Sequence, residues 1–150
     1  MRQTPEFQRI QELMQPGIIS EEGFLGNDIR NLADILADDE LKVIALDLTH
    51  EKIAEAMERL TEIGRASFGN PVMVDDLFRV TVESAKGKIA SPFGGLYNKE
   101  NIEVLNTRTD ETIIWTTLNI HLIRDHGFYE GKGAFFRVEP SDLVRVLELG

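Results

Sequence analysis

Two of the chain's three histidines stand five residues apart in Asn119-Ile120-His121-Leu122-Ile123-Arg124-Asp125-His126-Gly127, with a carboxylate between them. Imidazole and carboxylate together suit a divalent metal such as zinc, nickel or manganese, and an imidazole oriented by a carboxylate can act as a general base. Glu130, beyond the break at Gly127, adds an oxygen ligand, so a metal set would be His121, His126 and Glu130. Without a metal, the same stretch offers His121, Arg124, Asp125, His126 and Glu130 as ligand-binding groups. The spacing works against a shared metal, because rings five residues apart lie on opposite faces of a strand and diverge by about 140° on a helix. A common site requires the chain to bend between them. On a helix, His121 and Asp125 share a face and His126 lies near the C-terminal end, where a cation is favoured. That arrangement of locally satisfied histidines is the expected one.

The remaining motifs are incomplete. His50-Glu51 resembles the opening of the zinc-protease helix motif, but Ala54 stands where its second histidine belongs, so His50 is expected to be exposed and inert. Leu48 to Ala54 has the pattern of a first helix in a helix-turn-helix, yet no basic recognition helix follows. Asp38-Asp39-Glu40 and Asp75-Asp76 lack calcium-loop spacing and read as solvated turns, unless a helix runs past the first set or a basic partner faces it. Gly94-Gly95 and Gly131-Lys132-Gly133 fit neither dinucleotide nor Walker spacing, although the amides of the second and Lys132 suit an anion. Arg79, Arg108, Arg124 and Arg137 fall on or beside expected strands, where they could converge on a carboxylate ligand. No nucleophile elbow surrounds any serine. With no cysteine, thiol nucleophiles, disulfides and thiolate metal sites are excluded.

Positioning these groups falls to elements whose periods change along the chain. Residues 1–75 carry 15 acidic and 7 basic side chains, and residues 76–150 carry 11 and 9. The acidic half reads as helical: Pro5–Met14, then 28–38 with Asn27 or Asp28 as N-cap and Leu25, Ile29, Leu32 and Leu36 on one face. Leu41–Asp47 reads equally as a short strand or more helix. Thr49 caps a further helix, with Leu48 and Ile53 as a hydrophobic staple, Ile53, Met57 and Leu60 inward, Glu51, Glu55, Glu58 and Glu62 outward, and Gly64 as a left-handed C-cap. Beyond Pro71 the period becomes two, with Phe78, Val80 and Val82 alternating against Arg79, Thr81 and Glu83. Expected there are a turn at Lys86-Gly87, a loop at Ser91–Gly95, and strands at Ile102–Leu105, Thr112–Thr117 running toward Leu122, and Ala134–Val138. Pro140 opens a last helix with Leu143, Val144 and Leu147 inward.

The expectation is one α+β domain over 1–150, mainly helical over 1–70 and mainly strand plus a C-terminal helix over 71–150, with the helices packed on an antiparallel sheet from residues 77–138. A net charge of −10 disfavours nucleic acid and anionic membrane surfaces. Met1 to Pro16 is polar and no apolar run is long enough to span a bilayer, so a cytoplasmic location is expected. The favoured function is a non-enzymatic module that binds a protein or a small molecule, with a homodimer as the base-rate assembly. The alternative is a small metal- or histidine-dependent enzyme or sensor near His121, Asp125 and His126, with a divalent metal as its cofactor.

Overall fold

In the computed structural model, which describes residues 3–150, four strands form one antiparallel sheet in chain order and five helices pack with it, an α+β fold. Met1 and Arg2, which begin the polar N-terminal stretch, lie outside the described residues. The strands are β1 (Val72–Val74), β2 (Phe78–Ala90), β3 (Leu96–Asn106) and β4 (Glu111–Thr116). Their two-residue period sorts the faces: Phe78, Val80, Val82, Ile102, Val104, Ile113 and Trp115 are buried, while Arg79, Glu83, Glu103 and Ile114 are exposed. Lys86-Gly87 is a bulge and not the expected turn; β2 runs on, its register shifting between Ala85 and Lys88, with Gly87 at φ 88°. The chain reverses at Ser91–Gly95, closed by a Ser91 N–H to Gly95 carbonyl bond of 3.0 Å.

Helix α1 (Pro5–Leu13) forms as expected. Helix α2 (Leu32–Ala45) starts later than expected and runs through the acidic triplet to Ala45, so Leu41–Ala45 is helix and Leu46-Asp47 a turn. Its late start has two causes. Arg30 folds back on Asp28 through its backbone N–H (3.1 Å), Nε (2.9 Å) and Nη2 (2.6 Å), which removes Asp28 from an N-cap role and leaves Ile29 exposed. The first free amides of α2 are then met from elsewhere, Leu32 N–H by Gln11 Oε1 (2.9 Å) and Ala33 N–H by Gln3 Oε1 (3.0 Å).

Helix α3 (His50–Arg65) begins where expected, the Thr49 hydroxyl accepting from Lys52 N–H at 3.1 Å. Gly64 is not its C-cap. It sits within the helix against the sheet, where a Cβ would lie 2.7 Å from Val80 Cγ1 and 2.8 Å from Val82 Cγ2.

The expected Thr112–Thr117 strand forms as β4 but does not run on toward Leu122, and the strand expected at Ala134–Val138 is absent. After Thr116 the chain turns into helix α4 (Thr117–His126), because Thr116 and Asn119 close a reciprocal capping box: the Thr116 hydroxyl accepts from Asn119 N–H (3.1 Å) and Asn119 Oδ1 accepts from Thr116 N–H (2.8 Å). Ala134–Val138 is irregular, its course set by the Arg137 guanidinium reaching Asp39 of α2. The sheet therefore spans 72–116. Helix α5 (Pro140–Val146) starts at Pro140 as expected, with Leu143 and Val146 buried and Val144 only half-buried.

The sheet's inner face, α3 and α5 share one apolar core, and α1, α2 and α4 share a second around Met14, Leu32, Ile35, Leu122 and Phe128. Among the described residues no helix is long and apolar enough to cross a membrane.

Candidate functional site

Helix α4 carries His121, Arg124, Asp125 and His126, and disperses them. The His121 ring packs on Tyr97 of β3 with centroids 4.2 Å apart, and His126 stacks on Phe93 of the hairpin loop at 4.0 Å with planes 9° apart. Arg124 pairs with Glu58 of α3, and Asp125 is exposed. Burial holds both imidazoles below their ordinary pKa. The two histidines fasten the tip of the β2–β3 hairpin to α4. Glu130, past the left-handed Gly127 (φ 63°), bonds to Asn119 instead of joining them. Among the described residues no three His, Asp or Glu side chains are grouped so as to hold a metal ion. His50 is half-buried, contrary to expectation, its Nδ1 2.9 Å from the Tyr129 hydroxyl.

Of the other charged candidates, Arg79 and Asp76 are exposed and the rest are largely occupied within the fold. Arg108 pairs with Glu148, and Arg137 is buried against Asp39 and Glu139, so the arginines do not converge. Asp39 is a buried partner and not a turn residue, while Asp38 faces Arg30 and Lys42. The anion at Gly131-Lys132-Gly133 is the chain's own Asp28, which accepts the Lys132 N–H at 3.0 Å.

A cavity of about 470 Å³, within the range of ligand sites, lies between the β2–β3 hairpin, the start of α4 and two loops. One loop brings Phe24 and the other Glu130, Phe135 and Phe136. Backbone contacts zip them together: Gly131 N–H donates to the Phe24 carbonyl at 2.9 Å and Asn27 N–H to the Lys132 carbonyl at 3.1 Å. Only glycine fits at 131, where a Cβ would come 2.7 Å from Leu25 Cα. Phe24, Ile89, Leu118 and Phe136 give apolar walls; Thr116, Asn98, Asn101, Glu100 and Glu130 give polar ones; Glu21, Glu22 and Glu83 line the exposed rim.

The two buried carboxyls differ in kind. Glu100 accepts from Arg65 Nε (2.9 Å) and Ser84 (3.4 Å) on one oxygen, and from Arg65 Nη2 (2.7 Å) and Thr117 (2.8 Å) on the other. Arg65 holds its carboxyl below the usual range, and its acceptor sites are filled. Glu130 is 4 % exposed and sits at φ 71°, a backbone conformation that costs a non-glycine residue about 1–3 kcal/mol. Arg137 Nη1 donates to its carbonyl at 2.7 Å and Asn119 Nδ2 to its Oε2 at 2.9 Å. No buried side-chain oxygen or nitrogen lacks a partner among the described residues, so Oε1, which has none, keeps some accessibility, and Glu130 lines the cavity. Burial pushes the Glu130 carboxyl up to about 8, against the opposing pull of the Asn119 hydrogen bond and the Arg137 charge. That shift favours the protonated carboxyl at neutral pH, the form in which Oε2 accepts from Asn119 and Oε1 can donate.

Of the groups singled out in the sequence, only Glu130 reaches this cavity. Glu100 was detectable, since it shares the inward parity of Ile102 and Val104 on β3. Thr116 and Asn119 carried the signal of a capping box three residues long, hidden in a β-branched run. The cavity's assembly from two glycine loops had no local signature. Compared with family profiles, curated proteins and solved structures, the chain matches none significantly.

Proposed function

We propose that the protein is a non-enzymatic binding module whose ligand offers a carbonyl oxygen to Glu130 and an apolar body to Phe24, Leu118 and Phe136. The observation that carries this reading is the Glu130 carboxyl in the cavity lining, buried, fixed through Oε2 and left with one oxygen that has no partner. A catalytic carboxylate pair would need a second free group, and Glu100 has its oxygens filled by Arg65, Thr117 and Ser84. The test is titration with N-acetylphenylalaninamide, followed by amide NMR shifts at Thr116 and Asn119. Saturable shifts are expected in the wild type and in Glu130→Gln, whose side-chain amide also donates, and their loss in Glu130→Leu. Absence of saturable shifts in the wild type sinks the reading, and phenethylamine binding while the amide does not would replace the donor role with ion pairing.

A further inference from the structure

We infer that the cavity takes an extended basic peptide, which adds as a fifth strand to the edge of β3 left free where β4 ends. The inference rests on the binding reading above and names its ligand class. Strand β3 runs from Leu96 to Asn106, but β4 pairs only with Asn101–Asn106. From Leu96 to Glu100 the strand has β2 on one side and no strand on the other. Among the described residues no backbone hydrogen bond reaches that side of the segment from any loop. Half of the backbone groups of such an edge point away from β2, here beside the start of α4, which touches the segment through Thr117 and His121 side chains and gives it no backbone partner.

The cavity runs along this edge, with Asn98, Lys99, Glu100 and Asn101 in its lining. It continues onto the outer face of the sheet as a second cavity of about 330 Å³ that shares Glu83, Asn101, Phe135 and Phe136 with the first. A groove that wraps a strand edge in this way fits an extended chain better than a compact molecule. Alternate side chains of an added strand point to opposite faces. One set would meet Phe24 and Leu118, the other the rim. There Glu21, Glu22 and Glu83 stand against the single cation Lys99, and none of the three is in an ion pair among the described residues. The Glu130 O–H would then serve a peptide carbonyl. A second copy of this chain is the less suitable occupant, because each copy carries a net charge of −10.

The test uses a capped heptapeptide alternating lysine with valine and phenylalanine. Controls are the same peptide with glutamate for lysine, and with N-methyl groups on alternate backbone amides. Hydrogen exchange should show new protection at Tyr97–Glu100, with affinity reduced about tenfold or more by N-methylation and severalfold by Glu83→Lys. If the peptide binds no better than N-acetylphenylalaninamide, or the N-methylated form binds equally, strand addition is wrong while the binding reading survives. If neither ligand perturbs Asn119, both fail. Protection of Tyr97–Glu100 in the free protein that rises with its own concentration would assign the edge to a second copy and overturn the peptide.

Discussion

One proton on Glu130 decides what the cavity offers, and the same proton should be visible in stability. Its folded pKa of about 8 lies above the ordinary carboxyl value of 4.5, so between those values the folded state binds the proton and the unfolded state releases it. Stability from this group therefore falls as pH rises through that window. His50, His121 and His126 act oppositely, because burial lowers their pKa and their penalty disappears as pH rises toward 6.5. The clean interval is pH 6.5 to 8, over which wild type should lose about 1.5 kcal/mol relative to Glu130→Gln, whose side chain does not titrate. Denaturant unfolding at several pH values measures this, and parallel curves for the two proteins would refute a neutral Glu130. The sequence pointed to Glu130 as a ligand-binding group, or as a metal ligand, but only in company with His121 and His126. Its position relative to His121 and His126 depends on α4 being a helix up to the break at Gly127, whereas the residue types of Thr112–Leu122 favoured a strand. Glu100 is the reverse case: its inward parity was written in β3, but only for a strand drawn longer than Ile102–Leu105.

Elements were legible where one local signal dominated and illegible where a distant contact won. The Thr49 cap and the Phe78-Val80-Val82 alternation lie within single elements, and both appear in the fold. The start of α2 was not readable, because its caps come from Gln3 and Gln11 some twenty to thirty residues earlier. The strand reading holds through Thr116 but beyond it lost to the Thr116–Asn119 box, and Gly64, a helix stop by type, is a packing residue by context. Gly64 provides a contest of two effects with a calculable winner. Alanine there should gain about 1 kcal/mol of helix propensity, but its methyl would enter the side chains of Val80 and Val82, and overpacking of that kind costs about 1–3 kcal/mol. The Gly64→Ala protein should be less stable than wild type by about 1 kcal/mol, read from unfolding of Trp115, the sole tryptophan and a fully buried one. A gain in stability would mean that α3 does not lie against β2 as closely as the packing implies.

At the scale of the molecule, the two apolar cores are joined by a polar bridge that also holds the site. Arg137 makes a bidentate pair with Asp39 of α2 at 2.8 and 2.9 Å, reaches Glu139 at 3.0 Å, and fixes the Glu130 carbonyl at 2.7 Å. Lys42 joins the same network through Glu139 at 3.2 Å. Removing one partner of a buried pair leaves an uncompensated charge and costs about 3–5 kcal/mol, whereas replacing both with apolar groups is often near neutral. Arg137→Leu should therefore be strongly destabilised, and adding Asp39→Leu should restore most of the loss, with Lys42 and Glu139 still paired. Binding should behave differently. In both variants the Glu130 carbonyl loses its donor, and with it the constraint that keeps a non-glycine residue at φ 71°. The double variant is then a protein with recovered stability and a misplaced Glu130, in which N-acetylphenylalaninamide no longer shifts Asn119. Recovery of stability and binding together would show that Arg137 serves only to join the cores, and that the loops zipped through Gly131 suffice to set the site.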